Sequence, residues 1–250
     1  EGLSAKGSSH RHVQAPSVRR VIDVSADEPK RGARLADLLA VHRPLARVFA
    51  DSPVARESHL SVDHFLLEKP GGRCTQCEGQ GVIRHELDMV EDVEVICSRC
   101  DGRRFRDEVL AVTAHGVSIA EVCGMSVAEA GSHFARERSV KDALGAAALC
   151  GLGSCRLDSA LRDLDAVERL LGRVARSQIT LRRGDLVLAD RPFAGCDQAA
   201  TVCLLNSLRR LVTAGASAIV TDTDRALVDH VDTVIVLEVA PDAGPGTVLS

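Results

Sequence analysis

Apolar positions along the chain change their period several times, and each change predicts a different element. "RRVIDVS" at residues 19–25 is a short β-branched run that reads as a strand. From Leu35 to Ala50 apolar residues recur at helical spacing. Pro44 lacks an N–H and clashes with the preceding turn, so it divides that stretch into two short helices. "SIAEVCGMSVAEAGSHFA" carries the same spacing further on. "LDSALRDLDAVERLLGRVA" sets Leu157, Leu161, Leu164, Val167, Leu171 and Val174 on one stripe, predicting a single amphipathic helix against a core. The stripe is too short for a coiled coil. From about Gly184 the type alternates: "DLVLAD" (strand), "QAATVCLLNSLRRLVTAG" (helix), "SAIVTD" (strand), "RALVDHV" (helix), "DTVIVLE" (strand). Apolar strands separated by helices predict an α/β fold with a mostly parallel sheet buried on both faces.

Two stretches break this pattern. Residues 1–18 are polar, rich in Gly and Ser and without periodicity, and read as a flexible lead-in. Residues 71–106 are rich in Gly, Cys and Arg, and the alternating "VIRHELDMVEDVEVI" within them predicts strands joined by turns. The chain thus divides into a lead-in (1–18), a first α/β part (19–70), a Cys-rich module (71–106), a helical region (107–180) and a C-terminal α/β part (181–250).

Composition narrows the function. With 250 residues, 45% of them hydrophobic, the chain can bury a sizeable core. No apolar run reaches the roughly 18–20 residues of a membrane helix and no signal peptide is evident, which predicts a cytoplasmic protein without membrane partners. A net charge of −4 argues against a polycationic nucleic-acid binder but allows a local basic surface. Five Phe with no Trp or Tyr argue against aromatic base-stacking platforms. Nine cysteines, an odd number without a secretion signal, point to metal binding or free thiols.

Cys74 and Cys77 form one C-x-x-C, Cys97 and Cys100 a second, with nineteen residues between the pairs. That spacing suits a four-cysteine zinc ribbon, in which each turn presents two thiolates to one tetrahedral Zn²⁺. Gly71, Gly72 and Gly79 flank the first pair and Gly102 follows the second, letting the loops curl. Four thiolates leave no open coordination position, so the site reads as structural. Cys123, Cys150, Cys155, Cys196 and Cys203 fall among apolar positions and read as small core residues. Arg73, Arg84, His85, Arg99, Arg103, Arg104 and Arg106 surround the module as a candidate phosphate-contacting cluster. The same residues, balanced by Glu86, Asp88, Glu91, Asp92 and Glu94, equally make a solvated charged face.

The run "GGRCTQCEGQGVIRHELDMVEDVEVICSRCDGRRFRDEVLAV", followed by "GVSIAEVCGMSVAEA", closely resembles the second zinc module of the UvrA component of the bacterial UvrABC excinuclease, and a weaker likeness extends over most of residues 19–240. The resemblance implies an ABC-type ATPase half with an inserted zinc ribbon. It also implies damage recognition in nucleotide excision repair, double-stranded DNA as ligand and, for protein partner, a UvrA-like dimer mate or a UvrB-like subunit. The cofactors it implies are structural Zn²⁺ and, for the ATPase, ATP with Mg²⁺; the DNA-contacting candidates are Arg84, His85, Arg103, Arg104 and Arg106.

The ATPase motifs depart from that family. No G-x-x-x-x-G-K-[ST] phosphate loop occurs in these residues, so nucleotide binding would need one from upstream sequence or another chain. Asp165, Ala166, Val167 and Glu168 stand where the family has Ser-Gly-Gly-Glu, placing a carboxylate and a side chain where backbone N–H groups should approach phosphate. Asp190 occupies the magnesium-aspartate position, but the catalytic glutamate is Arg191, whose guanidinium cannot act as a base. Asp222, Thr223 and Asp224 replace the family's Glu-His-Asn. Asp190, Asp165 and Glu168 therefore mark a degenerate nucleotide site with no catalytic residue. The expected function is a UvrA-like, zinc-binding DNA-recognition protein that does not hydrolyse ATP alone; the alternative is a non-catalytic module docking on a UvrA-like or other partner.

Overall fold

The computed structural model describes residues 17–25, 32–85 and 93–236. The elements in chain order are β1 (Arg20–Asp23), α1 (Leu35–Leu38), α2 (His42–Ala50), α3 (Pro53–Glu57), β2 (Val82–His85), β3 (Val93–Ile96), α4 (Asp107–Leu110), β4 (Thr113–Ala114), β5 (Val117–Ser118), α5 (Ile119–Gly124), α6 (Val127–His133), α7 (Arg138–Ala147), α8 (Ala166–Thr180), β6 (Asp185–Asp190), α9 (Gln198–Thr213) and β7 (Ser217–Thr221). Residues 1–16 of the lead-in, Glu86, Asp88, Glu91 and Asp92 of the acidic stretch, and the end of the chain from 237 lie outside the described residues.

The main sheet has the order β1-β6-β7, all parallel, so the first strand of the described chain joins the C-terminal strands across the whole intervening helical region. Ile22, Val187, Ala189, Ala218 and Val220 turn one face of this sheet into the core. Among the described residues only one face of the sheet packs into the core, where its apolar strands predict burial on both faces. Val21, Leu186, Leu188 and Ile219 form the opposite face outside the core, and Ile219 is 53% exposed. The expected strand "DTVIVLE" also does not form within residues 232–236. With no further strand beside β7 among the described residues, Val234, Ile235 and Val236 remain exposed and unpaired.

Pro44 sits in the first turn of α2, where a missing N–H costs nothing, and the predicted division into two short helices is present. The helical core is centred on Phe49, wholly buried, whose ring lies 5.7 Å from Phe65 and 6.5 Å from Phe134. Burying a side chain of this size stabilises by about 2–3 kcal/mol.

The single helix expected from Leu157 to Val174 begins only at Ala166. Upstream, Ala36 and Leu35 donate their backbone N–H groups to Leu157 and Ser159, and Leu161 donates to Ala33. With their hydrogen bonds committed to another segment, residues 157–161 cannot close helical turns of their own. Leu157, Leu161 and Leu164 are nevertheless buried, so their apolar pattern reports the core and not the helix.

Candidate metal centre

Two similar knuckles build the Cys-rich module. In each, Cys-x-x-Cys is followed by an acidic residue and a glycine in left-handed conformation: Glu78 (φ 50°) with Gly79 (φ 85°), and Asp101 (φ 52°) with Gly102 (φ 75°). Glycine adopts that region without penalty, which explains the two glycines the sequence places there. The knuckles are cross-tied, Cys74 N–H donating to Arg104 O at 2.7 Å and Cys97 N–H to Gly81 O at 2.9 Å. Gly72 serves a different need, because a Cβ there would fall 1.7 Å from the carbonyl oxygen of His64. β2 and β3 pair antiparallel between the knuckles, from Val82 opposite Ile96 to His85 opposite Val93.

The four sulfurs that result, Cys74, Cys77, Cys97 and Cys100, all lie within 4.8 Å of one another and are buried. Cys74 and Cys97 Sγ are 3.9 Å apart, Cys77 and Cys100 Sγ 3.6 Å. A tetrahedral ion with metal–sulfur bonds of about 2.3 Å requires sulfur separations near 3.8 Å, so the cluster could hold a metal ion as it stands. Burial works against ionisation, yet the backbone N–H groups of Cys100 and Arg99 bring Cys97 down to about 7, whereas burial holds Cys100 up to about 12. Gly81 N–H points at Cys77 Sγ from 3.3 Å, a donor that favours sulfur as thiolate.

The module is fastened to the helical body by charge. Arg104 meets Asp158 at 3.3 Å, with side chains only 15% and 18% exposed. Arg34 reaches the Asp158 backbone oxygen at 2.8 Å and the Gln80 oxygen at 3.3 Å. Burial, then the nearby Arg104 charge, pushes the Arg34 guanidinium below its ordinary value. At the hairpin, Glu94 accepts from Arg84 at 2.6 Å and Arg162 at 3.0 Å, and the Arg84 contact foremost holds its carboxyl below the usual range. The basic cluster is therefore divided. Arg73, Arg84 and Arg104 face carboxylates of the protein itself and Arg106 is partly buried, whereas His85, Arg99 and Arg103 are exposed, Arg103 reaching Asp107 at 3.8 Å. Cys150 is a core residue, while Cys123, Cys155, Cys196 and Cys203 pack against the core only partly buried.

The three residues expected at a degenerate nucleotide site have local partners. Asp165 caps α8: its carboxylate accepts from Glu168 N–H at 2.7 Å and Glu168 returns the contact to Asp165 N–H at 3.0 Å. Ser118 with Glu121 and Ser126 with Glu129 cap α5 and α6 identically. The spacing Ser/Asp-x-x-Glu, repeated at all three places, is the signal that would have revealed the capping role in advance. Asp190, exposed at the end of β6, accepts a hydrogen bond from the Thr221 hydroxyl. Arg191 follows at φ 43° with its N–H bonded to Thr221 O. Burial foremost, then the negative charges of Asp197, Asp165 and Asp222, raises the Cys196 thiol in the loop beyond β6.

Fold and site together define a class: an α/β protein with a parallel sheet and an inserted four-cysteine cluster that could hold a metal ion. No family model matches the chain. The chain is similar to UvrABC system protein A from Agrobacterium fabrum, at 30% identity over 92% of this chain and 24% of that protein. Its likeness to UvrABC system protein A from Methanothermobacter thermautotrophicus is 31% identity over 84% of this chain and 22% of that one. The crystal structure of UvrA2 from Deinococcus radiodurans superposes with a TM-score of 0.78 at 28% identity, covering 86% of this chain and 27% of that chain. The chain is thus UvrA-like in sequence and fold, and spans about a quarter of the length of these relatives. Among the described residues, no helix is long and apolar enough to cross a membrane.

Proposed function

We propose that this chain is a UvrA-like DNA-recognition module of the nucleotide excision repair type that binds one structural Zn²⁺, engages double-stranded DNA and does not hydrolyse ATP. The observation that carries the reading is a contrast within one chain. A closed four-sulfur cluster flanked by the exposed Arg99 and Arg103 accompanies a β6 end where Arg191 stands at the position the resemblance assigns to the catalytic glutamate. Zinc is the fitting ion because four thiolates in tetrahedral separation leave no open position. The carboxylates around the β6 loop repel a nucleotide's phosphates, and Arg191 supplies no base.

Duplex binding by the zinc-loaded protein, measured as affinity against salt, tests this. Arg103→Ala should make the log–log slope shallower by about 0.9 for each phosphate no longer neutralised. Undetectable binding at low salt would remove DNA from the reading. A second reading, a regulatory module docked on a UvrA-like partner, draws on the sheet face of Val21, Leu186 and Leu188, half-buried, and the exposed Ile219. Co-purification with such a partner, together with no DNA binding in isolation, would favour it. A UvrB-like protein is a candidate for the same assay.

A further inference from the structure

At the N-terminal ends of β1 and β6, Arg19, Arg20 and Arg182 line an open cleft of about 660 Å³ together with Ile179, Thr180 and Leu181. Arg183 follows immediately and is exposed. Among the described residues the one carboxylate bonded to this group is the buried Asp185. Arg20 meets it at 2.7 Å and also donates to Thr180 O at 3.0 Å, while Arg182 N–H donates to Asp185 Oδ2 at 3.0 Å. The Arg20 hydrogen bond foremost holds the Asp185 carboxyl below its ordinary range against the opposing effect of burial. The single negative charge is thereby matched by Arg20. Arg19, at 3.8 Å from the same carboxylate and half-exposed, and Arg182, which makes no ion pair with the described residues, are left as surplus positive charge.

We infer that this cleft is a phosphate-binding site, distinct from both the metal centre and the loop beyond β6. Guanidinium forks match phosphate oxygens in geometry and charge, and here the backbone that carries them is fixed. Arg19 is held through its N–H to Gly184 O at 2.8 Å, and Arg182 is anchored by the Asp185 contact already described. The cleft lies five residues along β6 from Asp190, or about 16 Å at about 3.3 Å per residue, so it is not part of the nucleotide position. Ile179, 42% exposed, and Leu181 add an apolar wall suited to the sugar or base edge of a phosphate ester. The phosphate can belong to a polynucleotide backbone, in which case the cleft extends the DNA reading above, or to a free phosphate compound.

Inorganic pyrophosphate by titration calorimetry and a fluorescent duplex by anisotropy, each against the wild-type chain and the Arg19→Glu/Arg182→Glu double variant, separate these sources. Arg20 is left intact because it holds Asp185, and circular dichroism checks the fold. Arg182→Gln serves as a second variant should the double variant not fold. The expected result is a loss of pyrophosphate affinity of at least about tenfold. If the duplex is also held here, the salt slope becomes shallower by about 2 for the two cations replaced. Lost pyrophosphate binding with an unchanged duplex slope assigns the cleft to a free phosphate compound. A wild-type chain that binds pyrophosphate through these arginines yet binds no duplex defeats the DNA reading and leaves the cleft standing. Pyrophosphate affinity and duplex slope both unchanged in the variants overturn the inference.

Discussion

Asp158→Ala should destabilise the protein more than Arg104→Ala, although both remove the same ion pair. The pair is 3.3 Å long and its side chains are 15% and 18% exposed. At an effective dielectric constant near 20, two charges at that distance attract by about 5 kcal/mol before desolvation is subtracted. Breaking a fully buried pair costs about 3–5 kcal/mol, and residual exposure reduces this to about 2–3 kcal/mol for Asp158→Ala. That variant strands Arg104 next to Arg34, whose guanidinium is already pushed down by burial and by Arg104. Arg104→Ala instead relieves Arg34, and it leaves Asp158 its contact with Arg156 at 3.0 Å. Its cost should be nearer 1 kcal/mol, with a coupling energy of about 1–2 kcal/mol in the double-variant cycle. Urea unfolding of the zinc-loaded protein followed by circular dichroism measures these values, since the chain has no Trp or Tyr to report by fluorescence. An Arg104→Ala variant as destabilised as Asp158→Ala, or a coupling energy below about 0.5 kcal/mol, would refute the reasoning. Arg104→Ala should also leave the salt slope of DNA binding unchanged, in contrast to Arg103→Ala, because its guanidinium is largely buried against Asp158 whereas Arg103 is half-exposed.

Metal removal should unfold residues 71–106, since structural zinc supplies on the order of 10 kcal/mol of folding free energy. Elemental analysis should give one zinc per chain, and chelation should open the module to proteolysis; a chelated protein with unchanged circular dichroism and protease resistance would contradict the structural role. Acid should expose the Asp185 contact. Its folded pKa is depressed, so its contribution is present above the ordinary aspartate value of about 3.9 and is lost as pH falls through the lower folded value. Arg20→Met should flatten that acid limb in urea unfolding between pH 6 and 3, and an unchanged limb would remove Arg20 as the cause.

The four-cysteine cluster was legible because its information is local. Two C-x-x-C turns followed by an acidic residue and a glycine specify their own backbone, and Cys74, Cys77, Cys97 and Cys100 converge as their spacing predicts. Strands β1, β6 and β7 were equally legible, because β-branched and apolar runs bounded by turn residues carry the strand signal within a few positions. The capping box at Asp165 and Glu168 was written in the same local code but lay hidden under an aligned ATPase motif.

What the chain alone could not settle depended on partners distant in sequence. Leu157 to Leu164 read as helix because burial repeats at helical spacing, yet their backbone hydrogen bonds go to residues near Leu35, a choice no local pattern records. Only the tertiary structure turned Arg104 inward to Asp158, fifty-four residues away, and left Arg103 exposed beside it near Asp107, because which arginine is buried against a carboxylate is decided by docking and not by composition. The same holds for the cleft. Arg19 and Arg182 are far apart along the chain and become neighbours because β1 and β6 pair in parallel, Arg20 beside Asp185. Sequence by itself marked the four cysteines that converge and the strands β1, β6 and β7; the fold decided which charges are paired internally and which stay exposed.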